Sequence, residues 1–411
     1  MRLATSVAKG RDYAGLPLAV VPHPIVGLTD ALIVERARGI ADRVVEILST
    51  MPAVNAAAAA APSEFVTLPY VAEDEDGLFD EFLKRGWSDG LPVILPTPER
   101  VERMLGKRAA AADQPVGSIA PSWNRATLRT VAANCVMAGC APVHFPIVLA
   151  AVKAIQAPEF NLLGMQNTTH PCAALVIVNG PIRAAAGINS GHNCFGNGTR
   201  ANAAIGRALR LVMQNVGGAR PGEMDKSTQG SPAKFTFCIG ENEEASPWPP
   251  LHVERGYRPE QSTVTVVAAE PPHNVNDHSS TTAEGLFATT VSTMLPIGAN
   301  DPYIGIGRST PVLVLGPEHA RTIAKSGYDK AAIKRHLFEH VRNPIELLKQ
   351  GGMYKIRDWP AGFVEKHGDR LPIVEKPEDF IIAVAGGDGL HSAYIPTFAI
   401  STGVTAVIED T

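Results

Sequence analysis

The densest run of side chains able to do chemistry is Gly187-Ile188-Asn189-Ser190-Gly191-His192-Asn193-Cys194-Phe195-Gly196-Asn197-Gly198-Thr199-Arg200. A helical pattern follows, with Ile205, Leu209, Val212 and Val216 on one stripe and Gly217-Gly218 as its stop. Glycines permit positive φ and let a backbone approach a ligand closely. Free N–H groups at a helix start carry partial positive charge and Arg200 adds a full one, so a carboxylate or phosphate is the ligand this loop would take. The expected substrate-binding set is therefore Asn189, Ser190, Gly191, Asn193, Gly196, Gly198, Arg200 and Asn202. His192 would transfer protons, and Cys194 would act as nucleophile or neighbour, its thiolate favoured by the helix start and by Arg200. The competing explanations are a glycine-rich connection with a structural purpose only, and a buried structural thiol. Neither the dinucleotide fingerprint nor the P-loop spacing is present.

Two further polar runs could supply acid–base groups. Gln166-Asn167-Thr168-Thr169-His170-Pro171-Cys172 precedes an aliphatic strand, which makes His170 a second proton-transfer candidate. Glu241-Asn242-Glu243-Glu244 follows another, and Glu241, nearest the strand end, is the preferred carboxylate; a solvated acidic turn is the commoner outcome for such a run. Histidines recur after strand ends. The cofactor is left unknown by the sequence, with a divalent metal as the candidate: His273, His278, His319 or His391, with Glu318 or Asp388, could hold one, though each histidine taken singly is more often a surface loop residue. His336-Leu337-Phe338-Glu339-His340 matches the His-x-x-Glu-His pattern, but so short a pattern arises easily by chance. Cys135 and Cys140 stand five apart in a helical stretch, which suits buried thiols better than ligands; Cys140, near the helix end, is the more reactive candidate of the two.

The elements that must position these groups read as α/β: aliphatic strands alternating with helices in two or more lobes, with layered sheets covered by helices. Strands are expected at Leu18–Val21, Ala173–Val178, Val264–Ala268, Val312–Leu315 and Ile381–Ala385. Helices are expected after Thr29-Asp30, over Leu78–Lys84, over Glu99–Leu105 behind the Thr97-Pro98 cap pair, and within 126–140 and 145–156. The domain reading is a small αβ unit over 1–52, an alanine-rich linker over 53–64, a loop-rich α/β lobe over 65–255 carrying the Gly/Asn loop, and a second α/β lobe over 256–411.

Composition excludes several classes. Of 411 residues, 45% are apolar and 19% charged, the balance of a globular chain rather than a disordered one. The net charge of −4 comes with no basic stripe, so nucleic acid is not an expected partner. No apolar run is long enough to span a bilayer, no signal peptide is indicated, and five cysteines suit reduced thiols in the cytoplasm. Alanine- and glycine-rich helices suit close packing and a homo-oligomer.

Five segments carry a resemblance. Leu18-Ala19-Val20-Val21-Pro22-His23-Pro24-Ile25 with the helix after it resembles the C-terminal part of a bacterial family of small selenoproteins named after a Sec-Gly-Ser-Cys motif, and of their Cys-Gly-Ser-Cys relatives. Trp87–Thr97, Asn189–Arg210, Glu241–Trp248 and Gly316–Ala320 resemble the large proteins that accompany or fuse with them. The resemblance implies an architecture and a small thiol or selenol redox subunit as a partner, but no reaction. This chain has no Cys-Gly-Ser-Cys motif, so on this resemblance the redox half is absent or supplied by another subunit. The function expected from the residues is a lyase or hydrolase acting on a small anionic substrate. The alternatives are a metal-dependent enzyme using the strand-end histidines, and a non-catalytic companion subunit.

Overall fold

Each long strand in this chain is apolar on both faces, and the computed structural model shows what covers each one. It describes residues 4, 5, 8, 15–22, 29–50, 75–301, 307–351 and 362–409. In chain order the helices that matter are α1 (Asp30–Thr50), α2 (Leu128–Ala138), α3 (Phe145–Ala154), α4 (Arg200–Asn215), α5 (Ala283–Thr293), α6 (Pro317–Lys325) and α7 (Lys330–His340). The strands are β1 (Pro115–Ile119), β2 (Asn124–Thr127), β3 (Ala173–Asn179), β4 (Cys238–Gly240), β5 (Thr263–Ala269), β6 (His273–Asn276), β7 (Val312–Leu315), β8 (Arg342–Pro344), β9 (Arg370–Pro372), β10 (Ile381–Val384), β11 (His391–Ile395) and β12 (Val404–Val407).

Two four-stranded mixed sheets form the centre, in the orders β12-β5-β3-β4 and β10-β7-β11-β6. Within them β3–β4 and β7–β10 are parallel pairs and the rest antiparallel. Successive side chains on a strand point to opposite faces, and the packing follows that alternation. Leu175 and Ile177 of β3 and Val267 of β5 share one cluster with Val312 and Val314 of β7 and Ile381 of β10, so the two sheets face each other. Val176 and Val178 of β3, with Val264 and Val266 of β5, point the other way and pack among residues of α2, α3 and α4. Leu313 and Leu315 of β7, with Ile382 and Val384 of β10, pack with α5, α6 and α7. The result is four layers: helix, sheet, sheet, helix. A strand enclosed on both sides reads as continuous aliphatic sequence, which is the pattern the sequence shows. Strands β5 and β12, both C-terminal to residue 256, lie in the sheet that holds β3 and β4, so the two lobes of the sequence share it.

Local chemistry sets the ends of these elements. Thr127 caps α2, its hydroxyl accepting from the Thr130 N–H while the Thr130 hydroxyl accepts from the Thr127 N–H; Gly139 at φ 87° ends the helix. Thr97 caps the helix Pro98–Leu105 as expected. Leu18–Val21 departs from expectation: it forms no strand, pairs with no sheet edge among the described residues, and leaves Val20 50% exposed. The proposed linker 53–64 lies outside the described residues. No single helix among the described residues is long and apolar enough to cross a membrane.

Gly206 tests the packing of the outer helix layer. It sits inside α4, where alanine would ordinarily favour the helix by about 1 kcal/mol. A Cβ there would lie 2.5 Å from the Phe237 backbone nitrogen and 2.6 Å from Thr236 Oγ1. Gly206→Ala is therefore expected to destabilise the protein by about 1–3 kcal/mol, measured by urea unfolding, against the sign given by helix propensity.

Candidate functional site

The residues singled out in the sequence fall at two opposite ends of the paired sheets. His170 lies just before β3 and Asn179 closes it; seven extended residues put about 20 Å between these ends. His192, Cys194 and Glu241 belong to the far end, so the structure does not gather them with His170.

At that far end the Gly/Asn loop is knitted into the fold. Asn202, on the first turn of α4, accepts from the Asn189 N–H at 2.8 Å and donates to the Asn189 carbonyl at 2.8 Å and the Cys194 carbonyl at 3.1 Å. Asn189 accepts from Gly191 and donates to the His192 carbonyl, and Asn193, at φ 60°, donates to the Asn197 carbonyl. Asn189 and Ser190 also offer their carbonyls to the N–H groups of Gly240 and Gly386, joining the ends of β4 and β10. The His192 ring lies over Gly387, where any Cβ would come within 1.9 Å of Nδ1. The polar side chains of the loop are thus largely spent on holding its shape. Ser190, Gly191, Gly196 and Gly198 form part of that turn-rich surface.

Arg200 and Cys194 differ from what their sequence neighbours suggest. The Arg200 guanidinium turns to the end of α2 and donates to the carbonyls of Gly139 and Cys140 at 2.8 and 3.3 Å. Cys194 is 5% exposed, and burial pushes its thiol up to about 11, so it is a thiol at neutral pH. Cys140 goes the other way: the Cys135 thiol donating to it, with His144 and Arg200 nearby, lowers it below a free thiol despite burial. Cys135 itself is raised by burial.

Glu241 is fully buried. Its Oε2 accepts from Asn179 Nδ2 at 2.6 Å and from the Leu251 N–H at 2.7 Å, and its Oε1 lies 3.5 Å from Lys330 Nζ. Glu243 accepts from the Gly180 N–H at 2.7 Å, and Glu244 pairs with Arg183 at 2.8 Å. The acidic run is a ligature between strand ends and α7 rather than a solvated turn.

Of the four strand-end histidines, two meet. His278 and His391 are exposed, with Nε2 atoms 3.2 Å apart. His319 is buried and uses both nitrogens, Nδ1 with Ser392 Oγ at 2.8 Å and Nε2 with the Asp277 carbonyl at 3.0 Å, which leaves no lone pair for a metal. His273 is exposed at the opposite end of β6. His336 and His340 stack face to face with ring centroids 4.0 Å apart, and Phe287 stacks on His336 at 4.3 Å; stacked rings do not aim their nitrogens at one ion. Among the described residues no group of three or more His, Cys, Asp and Glu side chains is arranged to hold a metal.

The other end of the sheets holds a tighter chemical grouping. His170 Nε2 donates to Glu270 Oε1 at 2.6 Å, and that oxygen also accepts from the Asn300 N–H at 3.1 Å. The imidazole stacks on Phe398 with centroids 5.7 Å apart and planes within 17°. The His170 side chain is 11% exposed and that of Glu270 19%. The bond to Glu270 selects the Nε2–H tautomer, so Nδ1 carries the lone pair; it is buried and has no partner among the described residues. Next to Asn300, Asp301 is wholly buried and accepts from the Tyr394 hydroxyl at 2.6 Å. Burial, with a lesser push from the Glu270 charge, raises its carboxyl to about 7 despite that bond. Behind His170, its carbonyl accepts from Ser227 Oγ, which in turn accepts from Lys234 Nζ at 2.6 Å.

Sequence reasoning reached His170 but not Glu270, Asp301 or Tyr394. Glu270 had a visible signal, since it directly follows the aliphatic run of β5 and precedes Pro271-Pro272. Asp301 and Tyr394 had none: they are brought in by separate segments and become significant only through burial and contact. Comparison with protein-family models, curated proteins and solved structures finds no match for the chain.

Proposed function

We propose that the protein is an enzyme of the lyase or hydrolase type in which His170 acts as general base. The observation that carries this reading is the 2.6 Å bond from His170 Nε2 to Glu270, which leaves a buried Nδ1 lone pair with no partner among the described residues. A carboxylate that fixes the tautomer and stabilises the imidazolium is the arrangement that makes a histidine an effective proton acceptor. His170 would take a proton from a small substrate or from a water that attacks it. Glu270 would hold the ring and balance its positive charge. Asp301 is a positioning group: near neutrality its carboxyl passes between neutral and charged states, and its charge acts on the His170–Glu270 pair. The reacting centre would lie away from the Gly/Asn loop, because that loop's asparagines and Arg200 are engaged in holding the fold.

The test works on a mixture in which the substrate is one of many compounds. A small-metabolite extract is incubated with wild-type protein or with His170→Gln, and both mixtures are followed by untargeted mass spectrometry. The wild type is expected to consume a metabolite about 10²–10⁴ times faster than the variant. Equal conversion by both proteins, or none by either, overturns the reading. A far-ultraviolet circular dichroism spectrum identical to the wild type's keeps a folding defect from imitating the effect.

A further inference from the structure

We propose that His278 and His391 form a two-histidine site for a divalent transition ion of the zinc class, on the surface where β6 ends and β11 begins. This site is independent of the reading built on His170, which lies at the opposite end of the sheets.

Distance is the first requirement of such a site. Two zinc–imidazole bonds of about 2.0–2.1 Å meeting at the tetrahedral angle place their nitrogens about 3.3 Å apart. The Nε2 atoms of His278 and His391 are 3.2 Å apart and their rings are nearly perpendicular, at 83°. An ion held by both needs almost no movement of either ring.

The tautomers of the two rings fit an ion as well. His391 Nδ1 lies 3.0 Å from Asn274 Oδ1. An amide oxygen only accepts, so Nδ1 carries the hydrogen and Nε2 presents a lone pair to its neighbour. This is the supporting bond that metal-bound histidines ordinarily make through their other nitrogen. Without an ion, His278 must donate its Nε2 hydrogen to that lone pair. With one, the His278 hydrogen moves to Nδ1 and both Nε2 lone pairs go to the metal, with no net change in the charge of the two rings.

The two rings also stand on fixed supports. Residue His391 is directly opposite Asn276 in the β6–β11 ladder. Between Asn276 and His278, Asp277 accepts from the N–H groups of Ser279 and Ser280 and from the hydroxyls of Ser280 and Thr289. His319 grips the same turn from behind through the Asp277 carbonyl, and grips β11 through Ser392. A pair held this firmly loses little freedom when an ion arrives. With two protein ligands, the remaining coordination positions are open to water or to a small anion such as a carboxylate. Imidazole donors select zinc, copper or nickel over magnesium and calcium.

Isothermal titration of the full-length protein with zinc chloride at pH 8 tests the site. One equivalent is expected to bind the wild type. His278→Ala and His391→Ala are each expected to lose that binding, Asn274→Ala to weaken it by about 10–100-fold, and His336→Ala to leave it unchanged. All four substitutions are at exposed or half-exposed positions, and matching thermal melts without zinc establish that the variants are folded. A wild type that takes up no zinc overturns the proposal, as does binding that survives in both His278→Ala and His391→Ala.

Discussion

Lys330→Met is expected to cost about 3–5 kcal/mol of folding stability, measured by urea unfolding. Lys330 begins α7 in one outer layer, and its ammonium lies 3.5 Å from Glu241 and 3.4 Å from Glu254, with only 6% of the side chain exposed. Glu241 follows β4 in the other half of the sandwich and is itself fully buried. Removing the cation leaves a carboxylate in the interior with hydrogen bonds from Asn179 and Leu251 but no opposite charge. Stranding one member of a buried pair is far more damaging than replacing both. The double variant Glu241→Gln with Lys330→Met is accordingly expected to recover part of the loss, and the recovered part measures the coupling. A loss under about 1 kcal/mol for Lys330→Met would show that Asn179 and Leu251 satisfy Glu241 by themselves.

Asp301→Asn is expected to gain on the wild type as the pH rises. Burial raises the folded-state value of this carboxyl from 3.8 to about 7, so the folded protein holds the proton more tightly than the unfolded chain does. The stabilising contribution is fully present below about pH 4 and is lost as the pH climbs to about 7. At up to about 1.4 kcal/mol per pH unit, with the slope falling off near the folded value, the difference between variant and wild type should move by about 2 kcal/mol in the variant's favour between pH 5 and pH 7, and then level off. Asparagine keeps an oxygen to accept from Tyr394, so the bond at that position survives the change. Unfolding curves at pH 5, 6, 7 and 8 read the shift directly. A constant difference across that range would mean that Asp301 titrates as an ordinary surface carboxyl and has no part in setting the charge beside His170.

The strands at Ala173–Asn179, Thr263–Ala269, Val312–Leu315 and Ile381–Val384 were legible because each is enclosed on two faces and so is written mostly in aliphatic residues. The helices were legible for the complementary reason: a stripe such as Ile205, Leu209 and Val212 has one buried face, and Thr97 and Gly139 mark ends by what their side chains or φ values allow. The site was less so. In Asn189, Asn193 and Asn202 the sequence announces hydrogen-bonding groups without saying whether they serve a ligand or the backbone, and the structure gives them to the backbone. Leu18–Val21 has the composition of a strand, yet it pairs with no sheet edge among the described residues.

By itself, then, the sequence determined the class of fold, the positions of most elements, and which residue types stood near strand ends. Those properties depend on neighbours three or four residues away, or two in a strand, and so are written locally. Tertiary structure alone decided that the sheets lie face to face, that β5 and β12 join the first of them, and that His170 meets Glu270 while His278 meets His391. It also decided which charged groups are sealed in, which is what sets apart Asp301, with its raised carboxyl, and Glu241, held by Lys330. Contacts between residues about 100 apart, and the low dielectric that burial imposes on them, have no local signature in a chain.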